Sequence, residues 1–308
     1  MKRLRKIYLE ISNVCNLHCT FCPGTRREKR FMTADEFATL LPKLCPWTDY
    51  LYFHLMGEPL CHPELAEFLR LAGDAGFKVI LTTNGTLLEE QLPGLLAAGL
   101  TGVNISLDTL NERTFRQITR REGVGRTVKA IDTCLAAGLP VKVNCVPIAP
   151  EEELVELAGL AKGRSLAVRF IELMPIGLGK DLCGRSEDEL RALLERAYGP
   201  LVPFEGRLGS GPSRYVSPPG FQGQIGFISS LSHQFCHRCN RVRLTANGFL
   251  KTCLQYDKGV WLRPLLSGSD ETLEAAILTA VRDKPAAHQF AQRQVDGGER
   301  HIMSQIGG

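Results

Sequence analysis

The chain has 308 residues, of which 44% are hydrophobic and 23% are charged, and its formal net charge at pH 7 is +4. This is the composition of an ordinary globular protein, and so small a positive charge argues against nucleic acid as a partner. Apolar runs stay shorter than the roughly 18–20 residues of a membrane span, and the N-terminus lacks the apolar stretch of a signal peptide. We therefore expect a cytoplasmic protein without a membrane partner.

The first two thirds of the chain alternate between strand-like and helix-like segments. β-Branched and aromatic residues predict strands at 6–13, 50–56, 78–85, 102–108, 141–148 and 167–175. Each is followed by a predicted helix, at 33–44, 63–75, 89–98, 126–137, 151–162 and 186–198. Six such units predict an α/β fold in which a parallel sheet curls into an incomplete (β/α)6 barrel.

The pattern changes near residue 206. Residues 206–223 are rich in Gly, Pro and Ser and are predicted to be a connecting segment. Short strands are predicted at 225–229 and 241–245, and a helix near 270–282. The sequence therefore predicts a barrel domain at 1–205 and a C-terminal extension at 206–308.

A first set of three cysteines follows the first predicted strand. Cys15, Cys19 and Cys22 have the spacing C-x3-C-x2-C, in the kind of loop that forms the active site of parallel α/β barrels. Thiolates grouped in this way bind zinc or an iron–sulfur cluster, and three of them leave one metal position open. A zinc site completed by His18 or by a distant residue is the alternative to a cluster.

A second set of three cysteines lies in the C-terminal region. Cys236, Cys239 and Cys253 have the spacing C-x2-C-x13-C and are also one ligand short of a closed site, although a zinc knuckle is another interpretation. Arg241 and Arg243 lie two residues apart on a predicted strand, so their side chains point to the same side. The pair could bind a polyphosphate, although a solvated edge strand would have the same pattern.

The first motif resembles that of the radical S-adenosylmethionine (SAM) enzymes. Phe21 stands before its last cysteine, and Gly57, Glu58 and Pro59 resemble the GGEP element of that superfamily. Residues 82–85 and 106–108 similarly end the third and fourth strands. The resemblance implies that the three thiolates hold a [4Fe–4S] cluster and that the amino and carboxylate groups of SAM chelate its fourth iron.

The resemblance is more specific over residues 100–308. Residues 103–108, 141–144, 169–175 and 235–254 are similar to the GTP 3',8-cyclases that begin molybdenum cofactor biosynthesis. This implies conversion of GTP to 3',8-cyclo-7,8-dihydro-GTP, and a second [4Fe–4S] cluster on the second cysteine set whose open iron binds guanine. It also implies an electron donor such as flavodoxin or ferredoxin, with a homodimer as a candidate assembly.

The same resemblance implies a role for individual residues. The residues that would bind SAM are Phe21, Gly57, Glu58, Ser106 and Met174. The residues that would bind the substrate are Thr82, Lys142, Arg169, Arg241, Val242 and Arg243. The terminal Gly307 and Gly308 would reach into the active site, unless they are a frayed terminus.

The first third of the chain departs from the cyclase pattern. Tyr8 and Phe53 stand where the family carries arginines, and Leu51 stands where it often carries a lysine. Losing such phosphate contacts would cost roughly 1.5–3 kcal/mol each, and the basic run at 26–30 could replace them. Two alternatives therefore stay open. One is a radical SAM enzyme with an auxiliary cluster that acts on a peptide or another small molecule, and the other is a zinc-binding interaction protein.

Overall fold

The computed structural model describes residues 4–22, 28–239, 241–256 and 258–290. The predicted tail residues Gly307 and Gly308, and positions 26 and 27 of the basic run, lie outside these ranges. All six predicted strands of the β/α repeat are present, as β1 (Ile7–Leu9), β2 (Tyr50–Phe53), β3 (Lys78–Thr83), β4 (Leu100–Ser106), β5 (Val141–Cys145) and β6 (Ala167–Ile171). The helices are α1 (Ala34–Leu44), α2 (Leu65–Asp74), α3 (Leu88–Ala97), α4 (Glu112–Thr119), α5 (Val124–Ala136), α6 (Glu151–Ala158) and α7 (Glu187–Tyr198).

The C-terminal region contains more strands than its sequence predicts. They are β7 (Val202–Pro203), β8 (Arg214–Ser217), β9 (Gln224–Ile228), β10 (Val242–Leu244), β11 (Phe249–Lys251) and β12 (Gly259–Trp261), and helix α8 (Asp270–Arg282) follows. The segment at 206–223, predicted to be a connection, contains strand β8. Strand β8 pairs with β9 in antiparallel register, and the local composition of the segment does not reveal this pairing.

One sheet runs through the molecule in the order β12-β11-β10-β1-β2-β3-β4-β5-β6-β9-β8-β7. Strands β1 to β6 pair in parallel and in chain order, as the α/β prediction requires. The C-terminal region extends this sheet on both sides, since β10 pairs in parallel with β1 and β9 pairs in parallel with β6. The division into domains at residue 205 stays a prediction.

Capping side chains mark where four of the eight described α-helices begin. Helix α1 starts with a capping box, in which the Thr33 hydroxyl accepts a hydrogen bond from the Glu36 amide and the Glu36 carboxylate accepts one from the Thr33 amide. Helix α4 was not predicted, because only Phe115 and Ile118 of its eight residues are large apolar side chains that it buries. Of the helices described, none combines the length and apolar character needed to cross a membrane.

The two faces of β2 carry different chemistry. The Phe53 side chain is fully buried beneath α1 and α2, where its ring centroid lies 5.8 Å from that of Phe37 and 6.4 Å from that of Phe68. Side chains alternate along a strand, so Tyr50 and Tyr52 point to the opposite, inner face of the sheet. Phe53 therefore belongs to the helix-facing core, and the residues that line the inner face are its tyrosine neighbours.

Candidate active site

The first cysteine set lines a cavity of about 200 Å³ at the carboxyl ends of β1 to β4. We call it the thiol cavity. Its lining includes Cys15, Cys19 and Cys22 together with Phe21, Gly57, Glu58, Thr82, Ser106 and Asp108. Four of the five predicted SAM-binding residues are thus brought together with the three thiols. Met174, the fifth, follows β6 and is not among the residues that line this cavity. Thr82, predicted to bind substrate, lies here.

The cysteine loop is held by helix α4. The amide of His18 donates to the Thr119 carbonyl at 3.0 Å, and the amide of Thr20 donates to the Ile118 carbonyl at 2.8 Å. Both acceptors lie in the last turn of α4, whose carbonyls have no partner within the helix. The unpredicted helix therefore fixes the loop that carries the thiols.

Gly57 allows the backbone to pass close to the first strand. Its φ is +79°, and a Cβ at this position would lie 2.3 Å from the Ser12 carbonyl oxygen. Any other residue would meet both a left-handed backbone and a backbone clash. The next amide, that of Glu58, donates to the Val14 carbonyl at 2.7 Å, so this turn is tied to the segment that joins β1 to the cysteines.

Two carboxyl groups line the thiol cavity. The Glu58 side chain is 2% exposed, and its oxygens accept hydrogen bonds from the amides of Asn84 at 2.7 Å and Leu60 at 3.1 Å. Burial raises its pKa to about 7. Asp108 accepts one from the Val146 amide at 2.8 Å, and burial raises its pKa to about 7 as well. Both groups would be more stable as carboxylates beside a cationic ligand.

The thiols are suited to a metal cluster and not to a free nucleophile. Burial raises the pKa of Cys15 to about 12, and burial raises the pKa of Cys19 further, helped by Asp108. Such thiols stay protonated until a metal displaces the proton. Within the described residues, no three His, Cys, Asp or Glu side chains are gathered closely enough to hold one metal ion, as a zinc site would require. An iron–sulfur cube accepts thiolates that are more widely spaced.

A second, larger cavity of about 660 Å³ is strongly basic. We call it the basic cavity. Its cationic lining residues are Arg5, Lys6, Lys142, Arg207, Arg214, Arg238 and Arg241, and no Asp or Glu is among the described residues that line it. Tyr50 and Tyr52 of β2 form part of its wall, and the segment at 206–215 covers it. A cavity with this charge favours an anionic ligand.

The cations on the inner face are poorly hydrated and close together. Lys6 is 5% exposed, and burial lowers its pKa, with Arg241 and Arg169 contributing. Burial also lowers the pKa of Lys142 to about 8, with Arg169 and Lys6 contributing. The Arg169 guanidinium is held by the neutral Asn144, to which its Nε donates at 2.9 Å. These groups repel one another, and an anion between them would relieve that repulsion.

The second cysteine set adjoins the basic cavity through Cys239, which lines it. The Lys284 ammonium group donates to Cys239 Sγ at 3.2 Å and to the Arg241 carbonyl at 2.8 Å. Arg241 stacks on the Phe235 ring at 4.8 Å from its centroid, and its Nη2 is buried without a hydrogen-bond partner. A cation and a cysteine of the second set are thereby held side by side.

The remaining predicted substrate residues occupy different surroundings. Val242 is 1% exposed and packs in the hydrophobic core, so only its backbone could reach a ligand. Arg243 is 8% exposed, and its guanidinium carbon lies 5.6 Å from the centroid of the Tyr8 ring. Arg241 and Arg243 thus share the inner face, as the two-residue spacing predicts, while Val242 lies on the other.

The two cavities share a wall of aromatic side chains. The Tyr8 ring centroid lies 5.6 Å from that of Tyr52 and 5.2 Å from that of His54. Tyr52 lines the basic cavity and His54 lines the thiol cavity. Burial and the nearby Arg243 and Lys6 lower the pKa of His54 to about 3, so this imidazole is neutral. Ligands in the two cavities would therefore be neighbours.

The sequence did not single out several of these residues. Lys6 could have been found, because it lies two residues before Tyr8 and so on the same face of β1. Arg207 and Lys284 give no comparable signal, since they reach their sites from a loop and from the segment after α8.

Comparison with known proteins agrees with this architecture. A family model described as "Radical SAM superfamily" matches residues 9–161, and one described as "Molybdenum Cofactor Synthesis C" matches residues 166–290. The GTP 3',8-cyclase of Moorella thermoacetica is 38% identical over 100% of this chain and 98% of its own length. That of Clostridium perfringens (strain SM101) is 35% identical over 98% of this chain and 97% of its own length.

Among solved structures, Streptococcus suis SuiB bound to its precursor peptide SuiA matches with a TM-score of 0.64 and 15% identity. The match covers 93% of this chain, which spans 66% of the length of SuiB. At this identity the likeness shows a common fold alone.

The fold is therefore that of a radical SAM protein. Within that superfamily, the chain belongs to the GTP 3',8-cyclase family, because it is 35% and 38% identical to two of those enzymes over nearly its full length. The superfamily implies a [4Fe–4S] cluster and SAM, and three thiols lining one cavity fit the cluster.

Proposed function

We propose that this protein converts GTP to 3',8-cyclo-7,8-dihydro-GTP in molybdenum cofactor biosynthesis. The observation that carries the proposal is the adjacency of a thiol cavity and a basic cavity across one aromatic wall, in a chain related to GTP 3',8-cyclases over its whole length. Cys15, Cys19 and Cys22 would hold the first cluster. Bound there and reduced, the cluster would supply the electron that cleaves SAM to methionine and a 5'-deoxyadenosyl radical, and this radical would take a hydrogen atom from C3' of GTP.

The residues of the thiol cavity would orient SAM. Glu58 and Asp108 place negative charge where the SAM amino group and sulfonium carry positive charge. Gly57 lets this turn pack against the Ser12 backbone beside the cysteine loop, and Phe21 and Leu107 add apolar surface to the wall of the cavity. These residues bind and orient, and the radical chemistry itself needs no protein base.

The residues of the basic cavity would bind GTP. Lys142 and Arg241 carry charge that matches a triphosphate. We propose that Cys236, Cys239 and Cys253 hold a second [4Fe–4S] cluster whose open iron binds the guanine. Because Cys239 lines the same cavity as these cations, base and phosphates would be bound within one space. Holding the nucleotide beside SAM would supply the proximity that the hydrogen transfer needs.

The electron donor would be a small redox protein such as flavodoxin or ferredoxin, and a homodimer is the assembly we would test first. A peptide substrate has less support, because the likeness to SuiB shows the fold alone.

The test uses anaerobically reconstituted protein with SAM, a reductant and GTP deuterated at C3'. The cyclised product should form, and deuterium should appear in 5'-deoxyadenosine. Iron analysis should give about eight irons for two cubane clusters. Cys236→Ala should bind about half as much iron and should form no cyclised product. Cys45→Ala, at the end of α1, should keep the full iron content and the cyclisation activity. Cleavage of SAM without consumption of GTP would refute the proposal.

A further inference from the structure

We propose that Lys6 is a phosphate-binding residue that supplies, from the inner face of β1, the positive charge that Tyr8 and Phe53 do not provide. The inference rests on the proposed function, because it names the part of the substrate that this side chain would contact. It also answers the question raised by the sequence, which lacks the cations that the family resemblance leads one to expect at positions 8 and 53.

Lys6 is buried as lysine seldom is without a charged partner. Its side chain is 5% exposed, yet no carboxylate forms an ion pair with it within the part of the chain that the structure describes. Its Nζ instead lies 4.3 Å from the Tyr52 ring centroid and 5.2 Å from the Tyr8 ring centroid. The two aromatic faces partly stabilise the ammonium group, and the Tyr8 side chain, which forms a hydrogen bond with Lys6, opposes the lowering of the Lys6 pKa by burial.

The surroundings of Lys6 are cationic. Arg241 and Arg169 are close enough to lower its pKa, after burial itself. Lys6 in turn contributes to the lowered pKa of Lys142. Several poorly hydrated cations in one space, without a lining carboxylate among the described residues, form a site that favours an anion of several charges.

The segment at 206–215 passes close to the ammonium groups of Lys6 and Lys142. A Cβ on Gly209, whose φ is +94°, would lie 2.9 Å from Lys142 Nζ, and a Cβ on Gly211 would lie 3.9 Å from Lys6 Nζ. The loop backbone therefore passes directly over both ammonium groups at residues without side chains. This is the arrangement in which backbone and lysine can approach one phosphate together.

The position of Lys6 also explains why Tyr8 is tolerated. Residues 6 and 8 share one face of β1, and Tyr8 stands opposite Arg243 on β10 and Tyr52 on β2. The Tyr8 ring contacts both Lys6 and Arg243. A cation lost at position 8 is thus replaced two residues earlier on the same face, and the tyrosine holds it in place.

The test compares three ligands on the reconstituted two-cluster protein: GTP, guanosine and inorganic tripolyphosphate. Lys6→Met should weaken GTP and tripolyphosphate binding by about 10- to 100-fold, as expected for one charge-assisted hydrogen bond. Guanosine affinity should not change. Lys6→Arg should retain GTP binding, and Lys6→Met combined with Tyr8→Arg should recover most of it. Lys162→Met, an exposed lysine outside the cavity, is the matched control.

Equal losses for GTP and guanosine would overturn the inference, because they would indicate a structural role. Unchanged tripolyphosphate binding by Lys6→Met would overturn it as well. A different result would refute the proposed function. If the wild-type protein bound tripolyphosphate through Lys6 but formed no cyclised GTP, Lys6 would still be a phosphate-binding residue, but GTP cyclisation would not be the activity. Thermal unfolding of each variant, with the Lys6→Arg result, separates lost binding from lost folding.

Discussion

The Glu58 carboxyl group gives a quantitative test of how the thiol cavity is built. Replacing Glu58 with Gln keeps the size of the side chain and removes its charge. Both oxygens accept backbone amides, and the amide NH2 of Gln cannot accept. One buried N–H would therefore be left without a partner, at a cost of about 1–3 kcal/mol.

Ionisation acts in the opposite direction. Burial raises the Glu58 pKa from the ordinary 4.5 to about 7. A raised carboxyl pKa means that its favourable contribution is fully present below pH 4.5 and is lost as the pH rises through 7. Relative to a neutral side chain, ionisation of Glu58 costs the wild type about 1 kcal/mol at pH 5 and about 3 kcal/mol at pH 8.

Glu58→Gln should therefore be less stable than the wild type at pH 5 and more stable at pH 8, with the difference in the free energy of unfolding changing by about 2–3 kcal/mol between these pH values. Urea denaturation of the cluster-free proteins between these pH values measures it. Glu90→Gln, at an exposed position in α3, should change the free energy of unfolding by less than about 0.5 kcal/mol throughout. A Glu58→Gln deficit that grows with pH would refute the reasoning, because it would mean that the hydrogen bonds keep Glu58 ionised.

Two further changes address the loops around the two cysteine sets. Gly57→Ala should abolish SAM binding in calorimetric titration and destabilise the fold by at least about 1–2 kcal/mol, because the new methyl group meets backbone; Gly94→Ala, where a Cβ meets nothing within 4 Å, should do neither. Lys284→Met removes the hydrogen bond to Cys239 Sγ and should release iron from the second site to a chelator about 10- to 100-fold more readily. Unchanged release, or the same release from the exposed Lys258→Met control, would contradict this role.

Local periodicity predicted the β/α part of the fold well. Helix α8 occupies residues 270–282 as predicted, because Ser269 caps it and its apolar spacing is regular. The placement of β10 beside β1 could not be predicted in the same way. That pairing joins Ile7 to Val242, and strand propensity carries no information on partners so distant in the chain.

The site shows a different limit. Counting back from the Gly-Glu-Pro turn puts Phe53 at an expected arginine position, yet the structure turns Phe53 toward the helices and Tyr52 toward the basic cavity. Leu55, whose φ is +106°, lies between the strand and the turn, so the two-residue alternation does not carry across it. The position of a residue in the sequence therefore does not give the face of the sheet on which its side chain lies. That face decides which cavity, and so which ligand, the side chain can contact.

The charges of the two cavities are complementary to two different ligands. The described lining of the thiol cavity contains Glu58 and Asp108 and no lysine or arginine, whereas that of the basic cavity contains seven lysines and arginines and no carboxylate. In the proposed reaction SAM carries positive charge and GTP carries negative charge. Each ligand would therefore be favoured by its own cavity and disfavoured by the other's. The field of the cations also crosses the wall, since Arg243 and Lys6 add to the effect of burial in lowering the pKa of His54, which lines the thiol cavity. Electrostatics would therefore reinforce, for each ligand, the contacts that it makes with particular groups in its cavity.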